Sequence, residues 1–571
     1  VQDDVTELTA RARAWQAEDP DPETREELAK LIEVEDREEL ASRFSGTLQF
    51  GTAGLRGELG AGPMRMNRSV VIRAAAGLAA YLRGQGAAGG GPGGDSGPGL
   101  VVIGYDARHK SYDFACETAS VMTGAGLRAA LLPGPLPTPV LAFAIRRLGA
   151  VAGVMVTASH NPPRDNGYKV YLGGGSQIVP PADAEIAARI DAVGPIAGVA
   201  RPGSGWDVLD EDVVERYLAR TGAALTEGSP RDVRVVHTAL HGVGSRTLHA
   251  AFRRAGFPDP VPVRQQAEPD PDFPTVSFPN PEEPGAMDLA FATARETASS
   301  SGPVDLVIAN DPDADRCAVA VPDEQAGSGF RMLRGDDVGA LLATHLVHKR
   351  ARGTFATTIV SSSLVSRIAL AADLPYEETL TGFKWLARVE GLRYGWEEAL
   401  GYCVDPDGVR DKDGITAALL IAELAAELKQ ADRSLTDLLD DLAVRHGLHA
   451  TDQLSVRVED LSLITSAMER LRTSPPASLA GLAVISAEDL SAGTEALPPT
   501  DGLRYQLAGD PASGVEKARV VVRPSGTEPK LKCYLEAVLP VRDQAALGDV
   551  RARAASVLAE LKADLGATAG V

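Results

Sequence analysis

The sequence predicts an α/β protein of several domains, closed at its C-terminal end by a smaller α+β domain. Three observations carry that expectation. The chain has 571 residues, more than one hydrophobic core organises, since domains run to about 100–200 residues. Short apolar runs alternate with helical segments through most of it. From residue 446 onward the pattern changes, with LSVRV (454–458), ARVVVRPS (518–525) and LKCYLEAV (531–538) reading as strands and 543–565 as a closing helix.

Taken in order, residues 1–45 read as two or three polar helices. Pro20 and Pro22 separate the first from the second, and Asp21 stands as an N-cap. The Gly-rich FGTAGLRG follows, then a helix over 69–83. Residues 84–99 carry nine glycines in sixteen and read as a flexible surface loop. Then come the strands LVVIGYD (100–106), GAVAGVMVT (149–157), VRVVHTAL (233–240), VDLVIAND (304–311) and GTFATTIVSSS (353–363). Apolar strands alternating with helices form layered α/β units, and active sites gather at the carboxyl ends of such strands. Composition shifts place boundaries near 205, 330 and 446. The expected parts are thus a helical extension (1–45) and four domains (46–205, 206–330, 331–445 and 446–571).

The bulk composition excludes several classes. Net charge is -21, which repels nucleic acid and anionic membranes. No uninterrupted apolar stretch reaches the roughly 18 residues of a membrane span. The longest apolar run, 415–428, is broken by Glu423 and Glu427 and reads as an amphipathic helix. The opening VQDDVTELTA lacks a signal pattern, so a cytoplasmic location is expected. Cys116, Cys317, Cys403 and Cys533 are far apart and read as core residues, not disulfides or zinc ligands.

Three motifs carry chemistry. DPDADR (311–316) sets Asp311, Asp313 and Asp315 at alternate positions after an apolar strand. In an extended chain the three carboxylates share one face. Such a cluster repels itself unless a cation sits within it, and hard oxygen ligands favour Mg²⁺. An EF-hand is excluded, because Arg316 and Pro322 stand where that loop needs Gly and Glu. TASHNP (157–162) offers Ser159 as nucleophile and His160 as base, with Lys169 in the following NGYK. A phosphoserine oxygen and three carboxylates would together coordinate one Mg²⁺. RPSGTEPKLK (523–532) is a donor-rich phosphate clamp built on Arg523, Ser525, Gly526 and Thr527. Arg56 in GTAGLRG and Lys384 in TGFKWL add cations that an anionic substrate needs in so acidic a chain.

Three decoys are set aside. GQGAAG (84–89) follows a helix, not the strand that a dinucleotide site requires. GDSGP (94–98) lies in the glycine loop without the all-β context of a serine protease. His237 and His241 have zinc-pair spacing, but their segment reads as a strand running into a loop.

Together these motifs resemble the α-D-phosphohexomutase superfamily of phosphoglucomutases and phosphomannomutases. TASHNP, DPDADR, a Glu-containing sugar loop and RPSGTEP match in order over residues 51 to 535. FGTAGLRG, PDPDFPTVSFPNPEEPGAMDLA (269–290), TGFKWL and EEALGY (397–402) resemble its long branch, which includes phosphopentomutase and glucose 1,6-bisphosphate synthase. The resemblance implies three related α/β domains with mixed sheets and a smaller, mobile fourth domain around a central cleft. It implies Ser159 as the phosphorylated serine and a Mg²⁺ ligand beside the three aspartates. Arg56, His160, Lys169 and Arg316 then serve phosphoryl and proton transfer. Lys384, Glu397, Glu398, Gly401 and residues 523–527 bind substrate.

The expected reaction interconverts sugar 1- and 6-phosphates, glucose preferred and mannose close, with a sugar 1,6-bisphosphate as intermediate and activator. The expected partner is a small sugar phosphate, bound by a monomer or weak homo-oligomer. Phosphopentomutase and glucose 1,6-bisphosphate synthase are the alternatives, ahead of a sugar phosphatase or a non-catalytic sensor. One departure matters. Many hexose mutases carry Ser in the sugar loop, where this chain reads Glu397-Glu398-Ala399-Leu400-Gly401.

Overall fold

A computed structural model describes residues 5–51, 54–87, 97–458, 460–525 and 530–570. Gly526 and Thr527, Thr52 and Ala53, and residues 88–96 of the glycine loop, which take in parts of GQGAAG and GDSGP, lie outside the described residues. The chain folds as two compact units. One comprises Val1–Met332 with Gly401–Glu423, the other Leu333–Leu400 with Leu424–Val571.

The first unit opens with helices Val5–Glu18, Pro22–Glu33 and Arg37–Phe44. Asp21 caps the second by accepting from the Glu23 amide, with Pro22 in the first turn where no amide is needed. Their apolar faces bury Leu8, Ala12, Leu28, Leu40 and Phe44 as one cluster.

Two mixed sheets follow. The first orders Leu55–Glu58, Asp165–Leu172, Ala152–Val156, Leu100–Tyr105, Arg128–Leu131 and Asp207–Val208. Its first two pairings are antiparallel and the rest parallel. Ala152–Val156 is buried at every position, as a strand covered on both faces must be. The second orders Phe330–Met332, Ala318–Pro322, Leu306–Ala309, Val235–Thr238 and Val261–Pro262, with two antiparallel pairings and then two parallel. The carboxyl ends of Ala152–Val156 and Leu306–Ala309 launch the TASHNP and DPDADR loops.

The apolar run at 415–428 lies in helix Gly414–Gln430, but the amphipathic reading needs correction. Residues 415–426 are all buried, Glu423 included. That carboxylate is compensated, accepting from the Thr226 amide and Ser229 Oγ at 2.6 Å each. Among the described residues no helix is long and apolar enough to cross a membrane. All four cysteines are free, and three are buried.

In the second unit, strands Tyr376–Thr379, Thr354–Thr358 and Leu392–Glu397 lie side by side in that order, paired in parallel. The C-terminal domain is a six-stranded sheet, Leu448–Arg457, Lys530–Leu539, Val515–Pro524, Leu503–Asp510, Leu482–Asp489 and Ser478–Leu479, antiparallel throughout. Strand Leu482–Asp489 alternates covered or half-buried residues with exposed ones, which fits a sheet with one covered face. The closing helix runs Leu547–Ala569, a few residues later than the sequence pattern places it, because Asp543 first caps a short turn at Gln544–Ala546.

A buried polar seam joins this sheet to the loop after Thr354–Thr358. Glu536 Oε1 accepts from Ser362 Oγ at 2.9 Å and from the Ser363 amide at 2.7 Å, while Oε2 pairs with Arg519 at 3.1 Å. Burial alone would raise the Glu536 pKa, but Arg519, His449 and the Ser363 amide override it and hold it far below the ordinary 4.5. Its stabilising contribution is therefore present above pH 4.5 and is lost as pH falls toward the folded value. Glu536→Gln should cost about 3–5 kcal/mol at pH 7, because Arg519 loses a buried partner. It should also make the acid-side fall of the melting temperature shallower than in wild type. Melting curves from pH 7 to pH 3 check both.

Candidate active site

Ser159 sits in the turn beyond Ala152–Val156 with φ 52, a left-handed backbone that a non-glycine residue rarely adopts. Local donors hold it there. The Ser159 amide donates to Thr157 Oγ1 at 2.9 Å, and Arg108 gathers the loop's carbonyls. Arg108 Nη2 donates to the Ser159 and Asn161 oxygens at 2.6 Å each, and Nη1 to the Pro162 and Asp165 oxygens at 2.8 and 3.2 Å. Ser159 Oγ then points at the aspartate loop, donating to Asp311 Oδ2 at 2.7 Å. His160 Nδ1 lies 3.3 Å from the same hydroxyl.

The three aspartates converge, but not through an extended chain. Residues 311–316 make a turn, with Ala314 at φ 52 and its amide donating to the Asp311 carbonyl. The turn fits closely against its neighbours. A Cβ on Gly242 would fall 2.3 Å from Pro312 Cα, and one on Gly414 would fall 2.2 Å from the Arg316 oxygen. One carboxylate oxygen from each of Asp311, Asp313 and Asp315 lies within 4.8 Å of the others, and all three residues are fully buried.

Cations surround them. Lys169 Nζ reaches Asp313 Oδ2 at 2.7 Å and Asp315 Oδ2 at 3.2 Å. Lys412 Nζ is 3.4 Å from Asp315 Oδ2. Arg316 Nε stands 3.8 Å from Asp311 and 3.7 Å from Asp315. Burial, then Asp315, push the Asp311 pKa up. Burial and Asp313 push the same way on Asp315, but Lys169, Lys412 and Arg316 prevail and lower it. Burial opposes the Lys169 charge, yet Asp313 and Asp315 raise its pKa. His160 goes the other way, with burial first and then Arg316 and Arg56 driving it well below the ordinary imidazole value. The result is a neutral imidazole beside a retained ammonium.

The donor set fits a hard divalent cation. It is all oxygen, and Asp313 Oδ1 and Asp315 Oδ1 are buried without a hydrogen-bond partner. An orphaned buried carboxylate oxygen is costly unless something occupies it.

The remaining predicted residues fall as follows. Arg56 Nη1 donates to Asn161 Oδ1 at 3.0 Å, beside the serine loop. Gly401 forms a backbone bridge with Arg316. In the second unit, Glu397 ends strand Leu392–Glu397 and is buried. Glu398 turns back on its own fold, its Oε2 accepting from Ser361 Oγ at 3.1 Å. Lys384 Nζ lies 5.6 Å from the Trp385 ring centre. Arg523 and Ser525 stand where the hairpin of Val515–Pro524 and Lys530–Leu539 closes, with the Ser525 amide donating to the Lys530 oxygen at 2.8 Å. His237 and His241 do not converge on a metal. His237 meets His249 and Asn310, and His241 meets Thr275.

Sequence reasoning missed Arg108, Thr138 and Lys412. Arg108 had a usable signal, a charged loop directly after strand Leu100–Tyr105, and Lys412 stands in an acidic DKDG run. Thr138 carries no local signal. Its hydroxyl donates to Asp313 Oδ2 at 2.6 Å across 175 positions of chain.

The chain matches all four descriptions of the phosphoglucomutase/phosphomannomutase family: α/β/α domain I over residues 47–195, domain II over 215–327, domain III over 334–445 and the C-terminal domain over 514–556. It is 47% identical to a Haemophilus influenzae protein named "Probable phosphomannomutase", over 83% of this chain and 93% of that one. It is 34% identical to Saccharomyces cerevisiae phosphoribomutase, over 92% and 91%. A Thermus thermophilus crystal structure described as a "putative phosphomannomutase" superposes with a TM-score of 0.69 at 26% identity, covering 92% of this chain and 100% of that one. The chain belongs to the α-D-phosphohexomutase superfamily. Its members are isomerases that move a phosphoryl group within a sugar phosphate, and the four-domain α/β layout is the family's.

The Arg108 contacts make a prediction. Arg108→Met keeps the bulk of the side chain but removes four donor contacts to the loop. Charge-assisted hydrogen bonds contribute about 1.5–3 kcal/mol each, so amide exchange across residues 159–166 should rise at least about tenfold, read by hydrogen–deuterium exchange.

Proposed function

We propose that this chain interconverts the 1- and 6-phosphates of a hexose, glucose preferred and mannose next, through a phosphorylated Ser159. The observation that carries the reading is the 2.7 Å contact of Ser159 Oγ with Asp311 inside a buried three-carboxylate cluster. On this reading Asp311, Asp313, Asp315 and a phosphoserine oxygen would hold Mg²⁺. When bound, that ion would offset the charge of the transferring phosphoryl group.

The chain's own residues do the rest. A sugar hydroxyl oxygen bonds to the phosphorus, the bond from phosphorus to Ser159 Oγ breaks, and the hydroxyl proton ends on Ser159. His160, neutral and 3.3 Å from Oγ, is the proton carrier. Lys169 and Arg316, both charged, face the phosphoryl oxygens. The sugar 1,6-bisphosphate so formed returns its other phosphoryl group to Ser159, and the same bisphosphate charges an unphosphorylated enzyme. Arg56 lies beside the serine loop. Glu397 grips sugar hydroxyls with Glu398 and Gly401 in the same loop, and Arg523, Ser525, Gly526, Thr527 and Lys384 hold the second phosphate, as the family resemblance implies. The proposal includes a cytoplasmic location and a monomer or weak homo-oligomer.

Ser159→Ala should abolish isomerisation without changing the melting temperature by more than a few degrees. Turnover within tenfold of wild type in that variant would sink the nucleophile assignment. A kinetic panel of glucose, mannose, glucosamine, ribose and deoxyribose 1-phosphates, with glucose 1,6-bisphosphate added, ranks the sugars.

A second reading, a phosphopentomutase, is favoured by Ala399, which lacks the hydroxyl of a hexose-type loop, and by the likeness to a phosphoribomutase. On that reading Ala399→Ser should move kcat/KM toward glucose 1-phosphate and away from ribose 1-phosphate by about tenfold, the value of one hydrogen bond. An unchanged ratio speaks against Ala399 as the discriminator.

A further inference from the structure

We propose that Thr138 is a positioning residue that fixes the plane of the Asp313 carboxylate so that its unpartnered oxygen faces a divalent cation. The proposal rests on the reading of the aspartate cluster as a cation site. Thr138 opens helix Thr138–Arg147, directly after Pro137, and is fully buried. It holds Asp313 by two bonds. Its amide donates to the Asp313 carbonyl at 2.9 Å, and its hydroxyl donates to Oδ2 at 2.6 Å. Lys169 donates to that same oxygen at 2.7 Å. Two short donors saturate Oδ2 and leave Oδ1 buried and unpartnered.

Asp315 repeats the pattern with different donors. Its Oδ2 lies within 3.2 Å of Lys169 and 3.4 Å of Lys412, and its Oδ1 has no hydrogen-bond partner. In both residues the donors take one oxygen and present the other. The difference lies in what holds each carboxylate in place. Asp315 is oriented by two ammonium groups on its Oδ2, with Arg316 Nε 3.7 Å from its Oδ1. Asp313 is oriented by one ammonium and by a hydroxyl fixed to a helix, whose backbone also grips the aspartate's own carbonyl.

The last torsion of a carboxylate is broad unless hydrogen bonds hold its plane. With Thr138 Oγ1 removed, Oδ2 keeps only Lys169, whose ammonium is shared with Asp315. The Asp313 carboxylate then spends part of its time with its plane turned away from the cation. Groups that orient metal ligands in this way typically change metal affinity 10–100-fold when lost.

The test is Mn²⁺ binding, read by the electron paramagnetic resonance of free Mn²⁺, on full-length protein with Ser159 unphosphorylated by intact mass. Thr138→Val, which keeps the shape and removes the hydroxyl, should weaken binding about 10–100-fold. Thr138→Ser, which restores the hydroxyl, should return to within about threefold of wild type, and both should melt near the wild-type temperature without metal. If the valine variant misfolds, Thr138→Ala answers the same question against the serine rescue. An unchanged Mn²⁺ constant in the hydroxyl-free variant, beside a wild type that binds, overturns the proposal alone. A wild type that takes up no Mn²⁺ in either the unphosphorylated or the phosphorylated form overturns the cation-site reading and this proposal with it.

Discussion

Two like charges about 4 Å apart repel by about 4 kcal/mol even at an effective dielectric of 20. Asp311, Asp313 and Asp315 hold one carboxylate oxygen each within 4.8 Å of the others, all three residues fully buried. Much of the first unit is arranged to make that tolerable. Lys169 comes from the strand beside the serine loop, Lys412 from a segment far along the chain, and Arg316 from the aspartate turn itself. Each sits where it meets one or two of the carboxylates. The glycines at 242 and 414 let backbone approach the turn more closely than any side chain would allow.

The same cluster explains why strained backbone collects here. Ser159, Ala314, Leu240 and His241 all have positive φ, and each such residue costs on the order of 1–3 kcal/mol. Strain of this kind persists only where neighbours overdetermine it. Arg108 provides that around Ser159, binding four carbonyls from one guanidinium that is itself buried. Burial lowers its pKa, with Asp106 the first group to resist. The apolar core beneath, with Val101, Ile103, Val154 and Val156 fully buried, is a rigid base for the loops that leave it.

What the sequence alone revealed follows from how local each signal was. The parallel strands were legible as apolar runs because both of their faces are covered. Ser159 and the aspartates were legible because each motif is contiguous. The geometry of DPDADR was not, since alternate spacing implies an extended strand, whereas Ala314 bends the chain into a turn. Glu423 misled because a charge in an apolar run normally marks the wet face, and its compensation comes from Thr226, Ser229 and Arg231, about two hundred residues away. Thr138 and Lys412 were invisible for the same reason. Their meaning lies in contacts across 175 and 97 positions of chain, which no local pattern encodes.

The charge count of the cluster bears on how the proposed reaction is ordered. Among the groups closest to one another, three carboxylates face three cations, Lys169, Lys412 and Arg316, and these six sum to zero. A divalent cation entering alone would leave two positive charges buried. A phosphoryl group on Ser159, carrying about −1.5 to −2, would leave a similar negative excess. The two together restore neutrality. Binding of either therefore favours the other, and a site balanced in this way disfavours losing the phosphoryl group while the cation stays. That is the electrostatic condition an enzyme needs if its phosphoserine is to wait for a sugar hydroxyl and not be surrendered to water.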